Sequence, residues 1–307
     1  MRPFFVLGRG REACGEMDIK SIGMGLLFAF VWSSAFTSAR VIVEFAPPMW
    51  ALVFRFLASG LLGILIARAL GQTARLTRQQ WVAVVVFGLC QNALYLGLNF
   101  IAMQTIEASL AAIIASTMPL IVALIGWAIL RDRIGALGVL GLVAGFGGVT
   151  LIMGARLGGG VDLFAVLLCV IAVISLAVAT LTVRGASSGG NLMMIVGLQM
   201  LVGSAALLIP AAVLEPLTVT WSWQLIVAFA YTTLFPGLAA TWVWFLLVGR
   251  IGAVRAATFH FLNPFFGVAI AAVLLGEALG AMDIVGVLIV AAGILAVQLS
   301  KQKPTGT

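Results

Sequence analysis

Runs of about twenty apolar residues recur along almost the whole of this sequence, and they leave it few ways to fold. Each run is long enough to cross the ~30 Å hydrocarbon core of a bilayer as a helix. Nine short polar breaks separate ten such runs, at Pro47-Pro48, Gly71 to Arg78, Gln104 to Glu107, Arg131 to Arg133, Gly158 to Asp162, Arg184 to Asn191, Glu215 to Ser222, Arg250 to Arg255 and Glu277 to Asp283. The spans they predict are 19–39, 47–68, 80–102, 107–130, 135–154, 163–183, 192–213, 223–248, 254–275 and 282–300. The expected fold is therefore an all-α integral membrane protein of ten transmembrane helices. Composition agrees, with 63% of the 307 residues hydrophobic and 9% charged, against about 45–50% and about 25% in soluble domains. A soluble enzyme is excluded, and no loop is long enough to carry a folded head outside the membrane.

Orientation follows from the basic residues, because Lys- and Arg-rich loops stay in the cytoplasm. With the N-terminus inside, 14 of the 17 basic residues lie on the cytoplasmic side, Arg40 and Arg156 fall outside, and Arg55 stands within a span. Residues 1–17 and 301–307 are then cytoplasmic tails. The net charge of +7 is a consequence of topology, so no nucleic-acid partner is expected. The N-terminal stretch has Arg2, Arg9 and Arg11 but no apolar core ending in a cleavage site before Asp18, so it does not have the form of a signal peptide. Met17 is a second candidate start. Cys14, Cys90 and Cys169 are too scattered for a disulfide framework or a metal site, and neither metal nor cofactor is expected.

The chain also resembles itself. Residues 106–151 lie over 251–296 at an offset of 145, which matches Pro119 with Pro264, Asp132 with Glu277, Gly141 with Gly286 and Gly148 with Gly293. An offset of 144 places Arg55-Phe56-Leu57 on Gln199-Met200-Leu201, and one of 142 places Ser33 on Ser175. A repeat of that length holds five spans, an odd number, so the second copy enters the membrane in the opposite sense. The predicted units are residues 18–154 and 161–300.

Trp32-Ser33-Ser34-Ala35-Phe36 in the first span, Arg55-Phe56-Leu57-Ala58 in the second, Pro119 with Asp132 in the fourth and Asn263-Pro264 with Gly276-Glu277 in the ninth resemble the EamA family of the drug/metabolite transporter superfamily. The resemblance covers about residues 18–300. It implies a ten-helix transporter, often an exporter of amino acids or related small metabolites. The sequence departs from the family pattern at Arg131-Asp132, where a Gly-Glu pair is commoner, which weakens any role for an acid there.

Polar groups at membrane depth are costly and mark function. Counting ~1.5 Å of rise per residue, Trp32, Ser33, Asn92, Tyr95, Ser175 and Asn263 fall near the midplane. Asn92, Tyr95 and Asn99 share one helix face, as do His260, Asn263 and Gly267. Together with Trp242, the candidate lining of a central cavity is Trp32, Ser33, Asn92, Tyr95, Asn99, Ser175, Trp242, His260 and Asn263. The competing reading for the serines is interhelical hydrogen bonding. Pro119 and Pro264 are predicted to kink their helices and to act in gating. Ala108, Ala112 and Ala115 line the face of Pro119 and suit either a cavity wall or close helix packing. Arg55, whose repeat partner is Gln199, is expected to meet a substrate carboxylate, to pair with a structural acceptor such as Glu44 or Glu107, or to snorkel outward.

No acid lies in the middle of a span, and His260 is the sole histidine. A neutral, hydrogen-bonding His260 implies uncoupled or weakly coupled movement by alternating access. Amides, rings and kinked backbone favour neutral or zwitterionic solutes, amino acids with aromatic or other apolar side chains first among them. The rival functions are a sugar-phosphate or nucleotide-sugar exchanger of the same superfamily, which would want more cations in its cavity, and an intramembrane enzyme. The expected partners are a small-molecule substrate and the lipid bilayer, with monomer and homodimer both open.

Overall fold

The computed structural model describes residues 18–128, 134–157, 160–182, 191–251, 256 and 258–302. Arg131, Asp132, Arg133, Arg184 and Arg255, the first 17 residues and Lys303 lie outside the described residues. The helices are α1 (Ile19–Phe45), α2 (Pro48–Ala69), α3 (Arg78–Ala102), α4 (Ala108–Ala128), α5 (Ala136–Ala155), α6 (Leu163–Leu181), α7 (Leu192–Leu214), α8 (Trp223–Ile251), α9 (Phe259–Leu275) and α10 (Ala281–Ser300). Among the described residues, nine are long and apolar enough to cross a membrane, and α9 is a shorter apolar helix. No strand occurs among the described residues.

Local chemistry sets the helix ends. Asp18 caps α1 by accepting from the Ser21 N–H, Thr77 and Gln80 form a reciprocal capping box at α3, and Ser222 caps α8 by accepting from the Leu225 N–H. The Arg250 guanidinium beside Asp18, with help from Ser21, holds that carboxyl well below the usual carboxylate range. Gly276 ends α9 in the left-handed region at φ 68°, where other residues are strained. Helix α1 runs six residues beyond the predicted end at 39. Arg40, where the sequence pattern puts the boundary, forms an i,i+4 ion pair with Glu44 at 3.7 Å and donates to the Met103 carbonyl, so its charge is accommodated within the helix.

Two helix starts are capped from elsewhere in the chain. Glu215, just past α7, accepts from the Met49 and Trp50 N–H groups at the start of α2, and Glu277, just past α9, accepts from the Ala108 and Ser109 N–H groups at the start of α4. These carboxylates meet the orphan donors and the positive end of a helix dipole.

Helices α2 and α7 pack on each other, as do α5 and α10; the first pair also contacts α3 and α8, and the second contacts α4 and α9. Glycines allow the close approach. A Cβ on Gly141 would lie 2.7 Å from the Gly293 carbonyl, and one on Gly148 would lie 2.9 Å from that of Gly286. Gly60 meets Gly197 in the same way, while Ser204 donates to the Val53 carbonyl at 2.9 Å. At the repeat offsets, Gly141 matches Gly286 and Gly148 matches Gly293, while Gly60 matches Ser204 and Val53 matches Gly197. Each contact therefore has a counterpart with the roles exchanged.

Burial separates centre from rim. In α4, 78% of the most apolar window is buried, against 28% in α5. Val213 of α7 is 74% exposed and Val273 of α9 is 81% exposed. In water such a surface would aggregate; against lipid tails it costs nothing. The small residues of α4 serve packing: Ala112 sits directly under Gly267 of α9, where a Cβ would come within 2.5 Å.

Candidate functional site

Two helices depart from α-helical winding in the interior. In α3 residues Gly88–Leu96 wind as a π-helix, and in α8 residues Thr233–Ala239 do the same. At the 145-residue offset both begin at equivalent positions, and Gln91 and Asn92 match Pro236 and Gly237. A π-turn widens the helix and turns side chains and carbonyls away from their usual partners, which is why such turns concentrate at functional sites. In α8, Pro236 lacks the N–H that would bond to the Thr232 carbonyl. Side-chain hydroxyls stitch the segment down: Thr233 donates to the Phe229 carbonyl, Thr241 to the Gly237 carbonyl, and Ser59 of α2 to the Thr233 carbonyl.

A cavity lies between these two turns. This cleft has about 560 Å³ of empty space, part of it open to the outside. The α1 wall is Trp32, Ala35, Phe36 and Ala39; α2 supplies Arg55 and Phe56; and α3 supplies Gln91, Asn92, Tyr95, Leu96, Asn99, Phe100 and the adjoining Met103. From the second half come Met200 of α7 and Thr232, Pro236, Gly237 and Thr241 of α8. Among the described residues no acid lines it.

The amides of α3 are held by backbone. Asn92 Nδ2 donates to the Gln199 carbonyl of α7 at 2.9 Å, and Asn99 Nδ2 donates to the Tyr95 carbonyl at 2.8 Å. These bonds fix the rotamers of both amides, and Asn99 Oδ1 also accepts from the Cys169 thiol of α6 at 3.6 Å. Tyr95 is 2% exposed. Arg55 has only 4% of its surface exposed, and its Nε and Nη1 have no hydrogen-bond partner. Among the described residues no carboxylate pairs with it; Glu44 pairs with Arg40 instead. The expected ion pair of Arg55 with Glu44 or Glu107 is therefore corrected, because the Arg55 head points inward between α2 and α8. Its guanidinium carbon stands 5.3 Å from the centre of the Phe56 ring, a cation–π contact worth up to about 2 kcal/mol when desolvated. An uncompensated buried charge costs about 3–5 kcal/mol, so the site is left under electrostatic tension.

Of the sequence candidates, Trp32, Asn92, Tyr95, Asn99 and Arg55 converge on this cavity. Others lie apart from it. Ser33 donates to the Asn263 carbonyl at 3.3 Å and Ser175 to the Cys90 carbonyl at 2.9 Å, both between helices. His260 and Asn263 bond to each other at 2.8 Å, with His260 wedged among Phe28 and Trp244. Gln199 is buried in α7 with its carbonyl taken by Asn92. Trp242 is 43% exposed on the outer face of α8. Pro119 is buried just after the break in α4 at Thr117, and Pro264 opens the α-helical part of α9 after a 3₁₀ turn, at the first helical turn rather than inside a helix.

Sequence reasoning missed Pro236 and Gly237. A Pro-Gly pair in the middle of a predicted span is a strong local irregularity, and the repeat offset to Gln91-Asn92 was there to be found. Phe36 and Phe56 stood in the motifs that carry the family resemblance, whereas Phe100 carried no signal, because an aromatic ring in a span is ordinary.

The EamA-like transporter family matches the chain twice, over residues 19–154 and 163–299. Among curated proteins, the uncharacterized transporter YvbV of Bacillus subtilis is 28% identical over 274 residues, covering 88% of this chain and 89% of that protein. The uncharacterized transporter sll0355 of Synechocystis sp. is 25% identical over 282 residues, covering 84% and 83%. A solved crystal structure aligns at a TM-score of 0.67 over 91% of this chain and 96% of the other, at 18% identity, a likeness of fold. A polar cleft enclosed by lipid-facing helices and a family match over nearly the whole chain lead to one conclusion: this multi-pass membrane protein belongs to the EamA-like transporter family.

Proposed function

We propose that the protein exports small neutral or zwitterionic metabolites, amino acids with aromatic or other apolar side chains first among them, across the cytoplasmic membrane. Two inverted five-helix repeats, with both termini cytoplasmic, alternate the access of a shared central cavity. The observation that carries this reading is the composition of the cleft: amides, aromatic rings and, among the described residues, a single cation, drawn from both halves of the chain. The double family match and the role-exchanging contacts of α2 with α7 and α5 with α10 support the repeat. The basic residues on alternate sides support the orientation.

A sugar-phosphate exchanger is favoured by one feature, the unpaired Arg55. A phosphate dianion calls for more than one cation, and among the described residues no second Lys or Arg lines the cleft. The test is counterflow in liposomes containing the purified protein, with amino acids, purines, organic cations and phosphorylated sugars as the panel. Exchange of apolar amino acids is expected. Uptake of a sugar phosphate with no response to any zwitterion would replace the proposal with the second reading.

A further inference from the structure

We propose that Arg55 receives a carboxylate of the transported solute, so that the cleft selects solutes bearing one carboxylate over amides and amines of the same body. The inference rests on the transporter reading and deepens it. Arg55 lines the cleft, is almost wholly buried, and keeps Nε and Nη1 without partners. A guanidinium keeps its charge at any physiological pH, so protonation change offers no relief. The described protein supplies no carboxylate to the cleft, and the matching position in the second half is the neutral Gln199. Gly237 lies alongside the guanidinium: a Cβ there would stand 3.7 Å from Nη2, so bare backbone lets the Arg55 head lie against α8 at the edge of the cleft. A planar carboxylate matches the guanidinium fork. The rest of the lining suits the remainder of such a solute. Trp32, Phe36 and Phe100 meet an apolar body, and ring faces also accept an ammonium group. Shared carboxylate chemistry thus covers both amino acids and simple monocarboxylates.

The experiment uses the purified full chain and matched pairs of ligands: phenylalanine with phenylalaninamide, leucine with leucinamide, and 3-phenylpropionate with 3-phenylpropionamide, together with phenethylamine and glucose 6-phosphate. Ligand-induced thermal stabilisation and competition in counterflow are read for wild type, Arg55→Lys and Arg55→Gln. Each acid is expected to outperform its amide by about 10- to 100-fold in wild type, the size of a charge-assisted hydrogen bond lost. Arg55→Gln should abolish that preference and Arg55→Lys should keep part of it. If the amino acids respond and phenylpropionate does not, the solute is a zwitterion; if both respond, it is a monocarboxylate in the broad sense, and either result upholds the carboxylate site. Acid and amide responding equally in wild type overturns it, and this comparison stands even where a variant fails to fold. Glucose 6-phosphate outperforming every carboxylate also overturns it. Flux of solutes without any acid preference leaves the transporter reading intact while removing Arg55 from recognition; absence of flux for every class removes both.

Discussion

The two π-turns face each other across the cleft with the same backbone deformation and opposite chemistry. In α3 the turn carries Gln91 and Asn92; at the matching positions of α8 stand Pro236 and Gly237. The first half presents amides on a winding with all its backbone donors, and the second presents a missing N–H and bare backbone. The two halves of the chain thus bring different chemistry to the same cleft. One turn provides polar groups, and the other provides the room in which the Arg55 head lies. A similar asymmetry separates Arg55 from Gln199: the cation faces the cleft, while the amide residue is buried in the α3–α7 contact.

That comparison breaks most severely if the empty side is filled. In Gly237→Leu the new Cβ would stand 3.1 Å from the Thr232 carbonyl and 3.2 Å from Ser59 Oγ. We expect counterflow to fall at least about tenfold, with overpacking costing about 1–3 kcal/mol, read by flux alongside thermal unfolding in detergent. Removing the polar group from the other turn acts through stability. Asn92→Ala removes the second donor to the Gln199 carbonyl, which keeps its place in the α7 helix, a loss of about 0.5–1.5 kcal/mol, visible as a lower unfolding temperature. Pro236→Ala restores an N–H within reach of the Thr232 carbonyl; we expect a gain of about 1 kcal/mol and slower exchange as α8 relaxes toward α-helical winding. An unchanged exchange rate would mean that packing, as in α3, holds the π-turn rather than the proline.

The smallest effects lie at the carboxylate caps of α2 and α4. Glu277→Gln removes the charge at the α4 start and costs about 0.3–1 kcal/mol, measured by thermal unfolding at neutral pH. Glu215 adds a pH signature, because burial raises its carboxyl above the usual value despite the Trp50 and Met49 N–H groups. With the folded-state value raised, the folded protein holds this proton more tightly than the unfolded chain. Its contribution is fully present below the ordinary glutamate range and is lost as pH rises through the raised value. Glu215→Gln should therefore flatten the pH dependence of the unfolding temperature across that window.

Much of the architecture is legible in the sequence because the bilayer imposes it. Hydropathy locates the helices to within a few residues, and the error at Arg40 comes from treating a charge as a boundary when an i,i+4 partner can absorb it. The stripe of Asn92, Tyr95 and Asn99 is visible as one face, yet its winding is not, since 3.6-residue spacing and a wider π-turn are hard to tell apart over nine residues. His260 and Asn263 look equally promising from depth alone. Their mutual hydrogen bond and aromatic nest place them beside the cleft's first helix instead of in the cleft. Depth is a property of one helix, whereas lining depends on how each helix is rotated.

The amino-acid sequence by itself determined that this chain lives in a membrane, where its helices lie and how few charges reach its interior, because a spanning segment must satisfy its backbone within itself and each run is solved locally. It also carried prolines and glycines that match between its two halves at a fixed offset. Only the tertiary structure decided which polar groups meet. Helix rotation brought Arg55 to a cleft that no acid lines among the described residues, paired two π-turns from different halves, and turned Ser33 and Ser175 into interhelical contacts. Those outcomes depend on glycine-mediated approach between distant segments, which no local pattern contains.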